Sequence, residues 1–485
     1  MAPLRSAAAV ADEPGCAGQA LCCRGSGAAS HVAEPAAPAA TVEQSQTLTV
    51  GRIFRFWAPL AATWLMMSVE GPFLAAVIAR LGQATFNLAA FGVAFSFAML
   101  NEAPIIMMMS ASVALVSDRQ SFLALRRFAY TLNAVITLVM GVVLVPPVFG
   151  FLAERLIGLP HEVAALTHVA TAILVPWPAA IGYRRFYQGI LIRANLTRRV
   201  AYGTVVRVLA MAVTALALYA TTSIPGAFVG AAALSAGVTA EAVASRFMAR
   251  ASVRRLLADV EPRPEVGPLT TPAIVSLYAP LALTSLLTLG VNPLVTFFLG
   301  RGRAALDSLA IWPVVASMVF VFRSGGVAYQ EVGIALLGDD RLGFAALRRF
   351  AGVLALATAG ALAVVAFSPL APWWLSVVSG LSRELSRFAL TPLRVLAVMP
   401  ALEVLLSFQR SLLVHARQTA RITWATAVEV SGIIAVLAVG VAALDAVGAV
   451  AAAAALLVGR VAANVFLSRH APGPGEIRAA EAASG

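Results

Sequence analysis

The chain has 485 residues, 60% of them hydrophobic and only 12% charged, and its formal net charge is +12. A soluble domain carries about 25% charged residues, so this composition excludes a soluble globular fold. The basic residues, all arginine, sit in short segments between apolar runs and not in one patch interleaved with exposed aromatics, which argues against nucleic acid as a partner.

Residues 1–50 are rich in Ala, Gly, Pro and Ser and hold too few large apolar side chains to offset the entropy of ordering. They also lack the apolar core of a signal peptide, so a disordered cytoplasmic tail is expected there. Cys16, Cys22 and Cys23 lie in that tail at a spacing that fits neither a zinc site nor a disulfide framework. From Ile53 onward apolar runs follow one another closely, each long enough for the roughly 20 residues that span a bilayer. Their centres fall near Leu65, Met99, Leu138, Ile173, Met211 and Leu234, then near Leu286, Val319, Leu356, Val398, Val430 and Ala453. The fold class expected is therefore an all-α integral membrane protein with about twelve transmembrane helices in two six-helix bundles. A first lobe covers 51–260, a Pro-rich charged linker covers 261–270, a second lobe covers 271–470, and 471–485 form a short tail.

Loops after the even-numbered spans, with the linker, hold Arg119, Arg126, Arg127, Arg193, Arg198, Arg199, Arg250, Arg254, Arg255, Arg348, Arg349, Arg417 and Arg421. The opposite loops are poorer, with Arg80, Arg155, Arg301, Arg303, Arg383 and Arg387. The positive-inside rule then places both termini in the cytoplasm of a multi-pass protein of the plasma membrane.

The chain also resembles itself. Phe56-Trp57-Ala58-Pro59-Leu60-Ala61 matches Leu277-Tyr278-Ala279-Pro280-Leu281-Ala282 at an offset of 221 (278 − 57), and Arg80 falls on Arg301. One residue of slip later, Ala124-Leu125-Arg126-Arg127-Phe128 recurs as Ala346-Leu347-Arg348-Arg349-Phe350, an offset of 222 (346 − 124). An even number of spans per half makes the repeats parallel, related by an axis along the membrane normal, with a solute site expected between the lobes and alternating access as the mechanism.

Two parallel six-helix bundles with proline in the first and seventh spans resemble the multidrug/oligosaccharidyl-lipid/polysaccharide (MOP) flippase superfamily and its MATE-like transporters. Within it, three stretches resemble the progressive ankylosis (ANK) family: Phe91-Gly92-Val93-Ala94-Phe95-Ser96-Phe97, Asn292 through Arg301, and Gly189-Ile190-Leu191-Ile192. That resemblance implies export of a small anion of the pyrophosphate, citrate or nucleotide kind. The sequence departs from the ANK pattern after Glu70, where Gly71-Pro72-Phe73-Leu74 stand in place of further polar and basic residues.

Charges inside spans are costly and mark functional candidates. Glu70 precedes Gly71-Pro72, where proline withholds a backbone donor and frees carbonyls, an arrangement suited to Na⁺ or a proton; a structural hydrogen bond to a neighbouring helix is the plainer use. Asn101-Glu102-Ala103-Pro104 repeats the theme in the second span. Arg323 falls on the position of Glu102, beside Ser324-Gly325-Gly326, where a span is allowed to loosen. Its planar fork suits a phosphate or carboxylate, or an ion pair with Glu102 or Glu70. Glu70, Asn101, Glu102, Asn292 and Arg323 are thus the substrate- or ion-binding set. Arg207 and Glu429, 222 apart (429 − 207), are read as an inter-lobe salt bridge gating the inner mouth, with pairing inside each lobe as the alternative. Glu241, Glu331, Glu403 and Arg460 are further in-span charges without an assigned orientation, and Arg184 and Arg185, among Tyr183, Phe186 and Tyr187, read as a basic-aromatic belt at headgroup level.

His31, His161, His168, His415 and His470 form no metal-ligand spacing and no base–nucleophile set, so no enzyme, metal or cofactor is expected, only a coupling ion, H⁺ or Na⁺. The expected partners are a small solute and membrane lipid, the oligomeric state is left open with a monomer compatible, and the expected activity is secondary export of an organic or phosphate-bearing anion. A cationic MATE-type antiporter and a lipid-linked glycan flippase are the alternatives.

Overall fold

In the computed structural model, residues 48–194, 196–258, 269–337, 344–415 and 418–470 are described. The predicted tails with their three cysteines, and most of the predicted linker, lie outside them. Hydrocarbon offers the backbone no hydrogen bonds, so a chain this apolar satisfies its amides within helices. Twelve spans follow: α1 (Val50–Ser68 and Glu70–Ala79), α2 (Ala84–Glu102), α3 (Arg119–Val143), α4 (His161–Ile173 and Pro176–Arg193), α5 (Thr197–Thr221) and α6 (Gly226–Met248) in the first half. The second half holds α7 (Thr271–Leu289 and Val291–Arg301), α8 (Ala305–Leu336), α9 (Phe344–Phe367), α10 (Arg383–Val395 and Met399–His415), α11 (Thr419–Ala438) and α12 (Gly448–His470). Eleven of the twelve predicted centres fall within their helices, and Val398 falls in the short 3-10 turn that joins the two segments of α10. Among the described residues eleven helices are long and apolar enough to cross a membrane; α7 completes the set as two shorter pieces.

The repeat is written into the backbone. Gln83 and Ala304 open α2 and α8 with φ of 55° and 53°, 221 residues apart (304 − 83). Gly158 and Gly380, before α4 and α10, have φ of 89° and 73°, 222 apart (380 − 158). Asn87 Oδ1 accepts from the Ala227 amide at 2.9 Å, and Ser308 Oγ accepts from the Ala449 amide at 3.1 Å, so α2 caps α6 as α8 caps α12. A Cβ on Gly237 would stand 3.0 Å from the Arg207 carbonyl, and one on Gly459 2.8 Å from that of Glu429. Only glycine permits these contacts, which draw α6 onto α5 and α12 onto α11.

The halves meet through α1, α2, α7 and α8, again in reciprocal pairs. Trp57 Nε1 donates to the Gly325 carbonyl at 2.9 Å, and its counterpart Tyr278 donates from its hydroxyl to the Pro104 carbonyl at 2.7 Å. The first segment of α1 thereby packs into the second half, Ile53 and Trp57 among Tyr329, Phe350 and Leu354. The first segment of α7 reciprocates, Ile274 and Tyr278 lying among Phe122, Leu125 and Phe128. Midway, Ser96 Oγ and Thr296 Oγ1 share a hydrogen bond of 2.7 Å. At the arginine-poor face, Arg80 at the end of α1 donates to the Val377 carbonyl between α9 and α10. Arg301 at the end of α7 donates to the carbonyls of Leu156 and Arg155 between α3 and α4, both at 2.8 Å. Two arginines thus clasp the lobes together on that face.

The loosening that Ser324-Gly325-Gly326 would allow after Arg323 does not occur. α8 runs unbroken from Ala305 to Leu336. Gly325 and Gly326 lie against Trp57 and Val404, where a Cβ would stand 3.1 and 3.0 Å from the nearest side-chain atoms. Here the glycines serve close packing between helices.

Candidate functional site

Each lobe encloses its own chain of ions. In the first, α1, α4, α5 and α6 converge on a buried cluster. Arg207 of α5 donates through Nη2 to Glu70 Oε2 and lies 4.0 Å from Glu241 Oε2. Arg184 Nη1 and Gln188 Nε2 of α4 both donate to Glu241 Oε1 at 3.0 Å. Pro72, at the start of α1's second segment, cannot donate to the Ser68 carbonyl; the chain breaks at Val69 and turns Glu70 inward, where its Oε1 is buried without a partner.

In the second lobe, Arg323 of α8 donates from Nε to Glu403 Oε2 of α10 at 2.9 Å, and also from Nη2. Arg460 of α12 donates from Nη1 to the same oxygen at 2.7 Å and from Nε to Glu429 Oε1 of α11 at 2.8 Å. Arg410 stands beside this chain with only a 3.4 Å contact to Thr426 Oγ1. Three guanidinium groups face two carboxylates, so the cluster holds one uncompensated positive charge. Within it the Arg323 side chain is 23% exposed and that of Arg460 12%, which makes Arg323 the more accessible of the two ion-paired guanidinium groups.

The predicted residues are distributed as follows. Glu70 is paired with Arg207, as its plainer reading expected. Glu102 is buried at the end of α2 and makes no hydrogen bond or ion pair among the described residues, although Arg185, Arg184 and Arg207 act on it through their fields. Asn101 Nδ2 donates to the Ile136 carbonyl at 2.9 Å, a tie between α2 and α3. Asn292 is exposed and reaches Met99 Sδ at 3.5 Å. Arg323 meets Glu403, and neither Glu102 nor Glu70. Arg207 and Glu429 do not pair with each other in this conformation. Each is held inside its own lobe, because α5 and α11 are not among the helices through which the lobes meet.

Arg184 is corrected: it is no headgroup anchor but a buried partner of Glu241. Glu403, Arg460 and Arg410 complete the second cluster, and their in-span position was the one signal in the sequence. Asp118 outside the spans caps α3, accepting from the Ser121 amide at 2.8 Å, which holds its carboxyl below the usual aspartate range. No group of three or more metal-ligating side chains occurs among the described residues.

No protein-family model matches the chain, and no curated protein matches it. Solved structures do match in fold. A multidrug-resistance MATE-family transporter of the MOP superfamily in an inward-facing conformation aligns with a TM-score of 0.65 and 14% identity, over 87% of this chain and 96% of that one. Lipid II flippase MurJ in an inward closed conformation aligns at 0.62 and 12%, over 85% and 87%. A MOP superfamily transporter from Pyrococcus furiosus, described as having a binding pocket of reversed polarity, aligns at 0.55 and 15%, over 87% and 95%. The chain has the fold of these transporters.

Proposed function

We propose that the chain is a secondary transporter that carries a small organic or phosphate-bearing anion by alternating access between its lobes. The observation that carries the anion reading is the second-lobe cluster, with three arginines against two glutamates and Arg323 the most accessible of its ion-paired guanidinium groups. A planar guanidinium binds carboxylate or phosphate through paired hydrogen bonds, and a bound anion would supply the charge that Arg410 lacks. The reciprocal contacts between halves supply two bodies that can rock about a common axis, and the clasped arginine-poor face gives one end state. On this reading the arginine-rich face is cytoplasmic and the protein resides in the plasma membrane. The finer likeness to the ANK family rests on the three stretches quoted above.

A second reading has its own observation. The Glu102 carboxylate, on a residue only 5% exposed, meets no hydrogen-bond donor and no ion-pair partner among the described residues, which leaves it open to a proton or a cation. A cation-coupled antiporter would use it, with H⁺ or Na⁺ as the coupling ion.

Uptake into proteoliposomes separates the two. Citrate, pyrophosphate, ATP and a cationic dye are offered with and without Na⁺ and pH gradients. Transport of an anion that Arg323→Ala abolishes supports the main reading; dye transport that survives Arg323→Ala and stops with Glu102→Gln rejects it.

A further inference from the structure

A cleft of about 590 Å³ lies between α3, α4 and α6 in the first half. Its floor is α4, through Ala179, Ala180 and Tyr183, and its walls include Tyr130 of α3 and Thr239, Val243 and Phe247 of α6. Tyr130, Val243 and Phe247 are 40%, 50% and 67% exposed, so the cleft opens sideways through a surface of large apolar side chains. None of its lining side chains bonds to or stacks on the second half among the described residues, and neither ion cluster contributes a lining side chain. Asn133 also lines it, but its Oδ1 is turned against Gly182 and has no donor.

One feature of the cleft is out of place in an apolar wall. Arg246, two residues before the end of α6 at the arginine-rich face, also lines it. It has no carboxylate partner among the described residues. Its guanidinium stands 5.1 Å from the ring centroid of Tyr187, and the Tyr187 and Tyr130 hydroxyls share a 2.8 Å hydrogen bond beside it. The chain continues directly into an amphipathic helix, Arg250–Ala258, with Arg250, Arg254 and Arg255 exposed and Val253 buried. An unneutralised guanidinium at the mouth of an apolar, laterally open cleft, at the depth where a basic helix meets the membrane surface, is complementary to one class of molecule. It carries a negative phosphate at one end and hydrocarbon at the other.

We propose that this cleft binds an anionic phospholipid of the leaflet on the arginine-rich side. The phosphate sits on Arg246 and one acyl chain lies over Ala179, Ala180 and Val243. The aromatic platform of Tyr187 fixes the guanidinium so that its free N–H groups face the headgroup. The site is independent of the transported solute.

The test uses the full chain purified in mild detergent and offered equal amounts of phosphatidylglycerol and phosphatidylcholine with matched acyl chains, with retained lipid counted by native mass spectrometry. The wild type is expected to retain phosphatidylglycerol in preference, and Arg246→Gln to lower that preference about fivefold, the worth of one basic side chain at a headgroup. Arg246→Lys should keep most of the preference. Thr239→Trp, which fills the cleft from an exposed position, should lower retention of both lipids and gives a reading even if Arg246→Gln fails to fold. Equal preference in wild type and Arg246→Gln overturns the proposal, as does undiminished retention in Thr239→Trp. Loss of preference in Arg250→Gln/Arg254→Gln equal to that in Arg246→Gln would place the headgroup on the surface helix instead. A dimer that Thr239→Trp dissociates would show the occupant to be a second copy of the chain.

Discussion

Replacing both clasping arginines by alanine should open the arginine-poor face. The bonds lost are those from Arg80 to Val377 and from Arg301 to Leu156 and Arg155, which join the lobes only while that face is closed. A hydrogen bond with one charged partner contributes about 1.5–3 kcal/mol when protected, but both arginines are exposed, and in the open state water replaces the carbonyls. About 1 kcal/mol per clasp is therefore the appropriate scale. Losing both shifts the closed-to-open equilibrium by about 2 kcal/mol, or roughly thirtyfold. Arg301→Ala should outweigh Arg80→Ala, because Arg301 makes two bonds across the interface while Arg80 directs its other amino group to Ala76 of its own helix. The membrane domain contains no cysteine, so Ser96→Cys in a background with Cys16, Cys22 and Cys23 replaced by serine reports on the opening. Ser96 is buried against Thr296 at the lobe interface, twelve residues from the start of α2 at the arginine-poor face (96 − 84). An impermeant maleimide supplied on that face should label it much faster in the double variant. An unchanged labelling rate, or one raised only from the arginine-rich face, would refute the reasoning.

Gly300→Ala should act on the same equilibrium by another route: its Cβ would stand 2.3 Å from the Ile157 carbonyl of the opposite lobe, so closure is obstructed and Ser96→Cys labelling should rise again. Arg460→Met leaves the buried Glu429 without its ion-pair partner, a loss of about 3–5 kcal/mol; the midpoint of thermal unfolding in detergent should fall sharply, and adding Glu429→Gln should recover part of it. Arg184→Met should destabilise through Glu241 in the same way, whereas a headgroup anchor would tolerate the change; an unaltered unfolding midpoint would contradict the buried pairing. Arg410→Gln should leave the folded protein intact in the membrane and lower anion uptake, because it removes the charge that the cluster does not balance; unchanged uptake would show the excess charge to be irrelevant to the solute.

The helices were legible because a run of some 20 apolar residues admits one backbone solution in hydrocarbon. The repeat was legible because Pro, Arg and aromatic residues kept their order. The rotation of each helix about its axis was not. Arg184 stands in a stretch that reads equally as a headgroup belt or as one face of a buried helix, and what decides is Glu241, 57 residues away on α6. Arg207 and Glu429 misled for a related reason. Equivalent positions in a two-fold repeat approach one another only near the axis, and their helices α5 and α11 lie outside the group that forms the interface. Trp57 and Tyr278, also equivalent, do lie on helices at the interface; even there each bonds to the opposite lobe's backbone and not to the other.

The same symmetry argues for what the swapped charges do. Gly237 and Gly459 bring α6 and α12 against equivalent carbonyls, so the backbone around Arg207 and Glu429 has one shape in both lobes. Around these inverted charges the first lobe gathers glutamates on Arg207 and leaves Glu102 without an ion pair, while the second gathers arginines on Glu429 and Glu403 and leaves Arg410 without a carboxylate partner among the described residues. A cation and an anion would then each find a complementary group in a different lobe, with no need to compete for one pocket. If the proposed function holds, binding of either ion alters the charge balance of only one lobe. The preference of both for one end state would have to pass through the contacts that join the halves: Trp57 with Gly325, Tyr278 with Pro104, and the two clasps. Coupling in this protein is then a property of the interface, and Trp57→Phe, which deletes one reciprocal bond without removing an ion pair, should loosen the dependence of anion uptake on the driving ion while leaving anion affinity in place. Equal loss of affinity and coupling in that variant would locate the coupling inside the clusters instead.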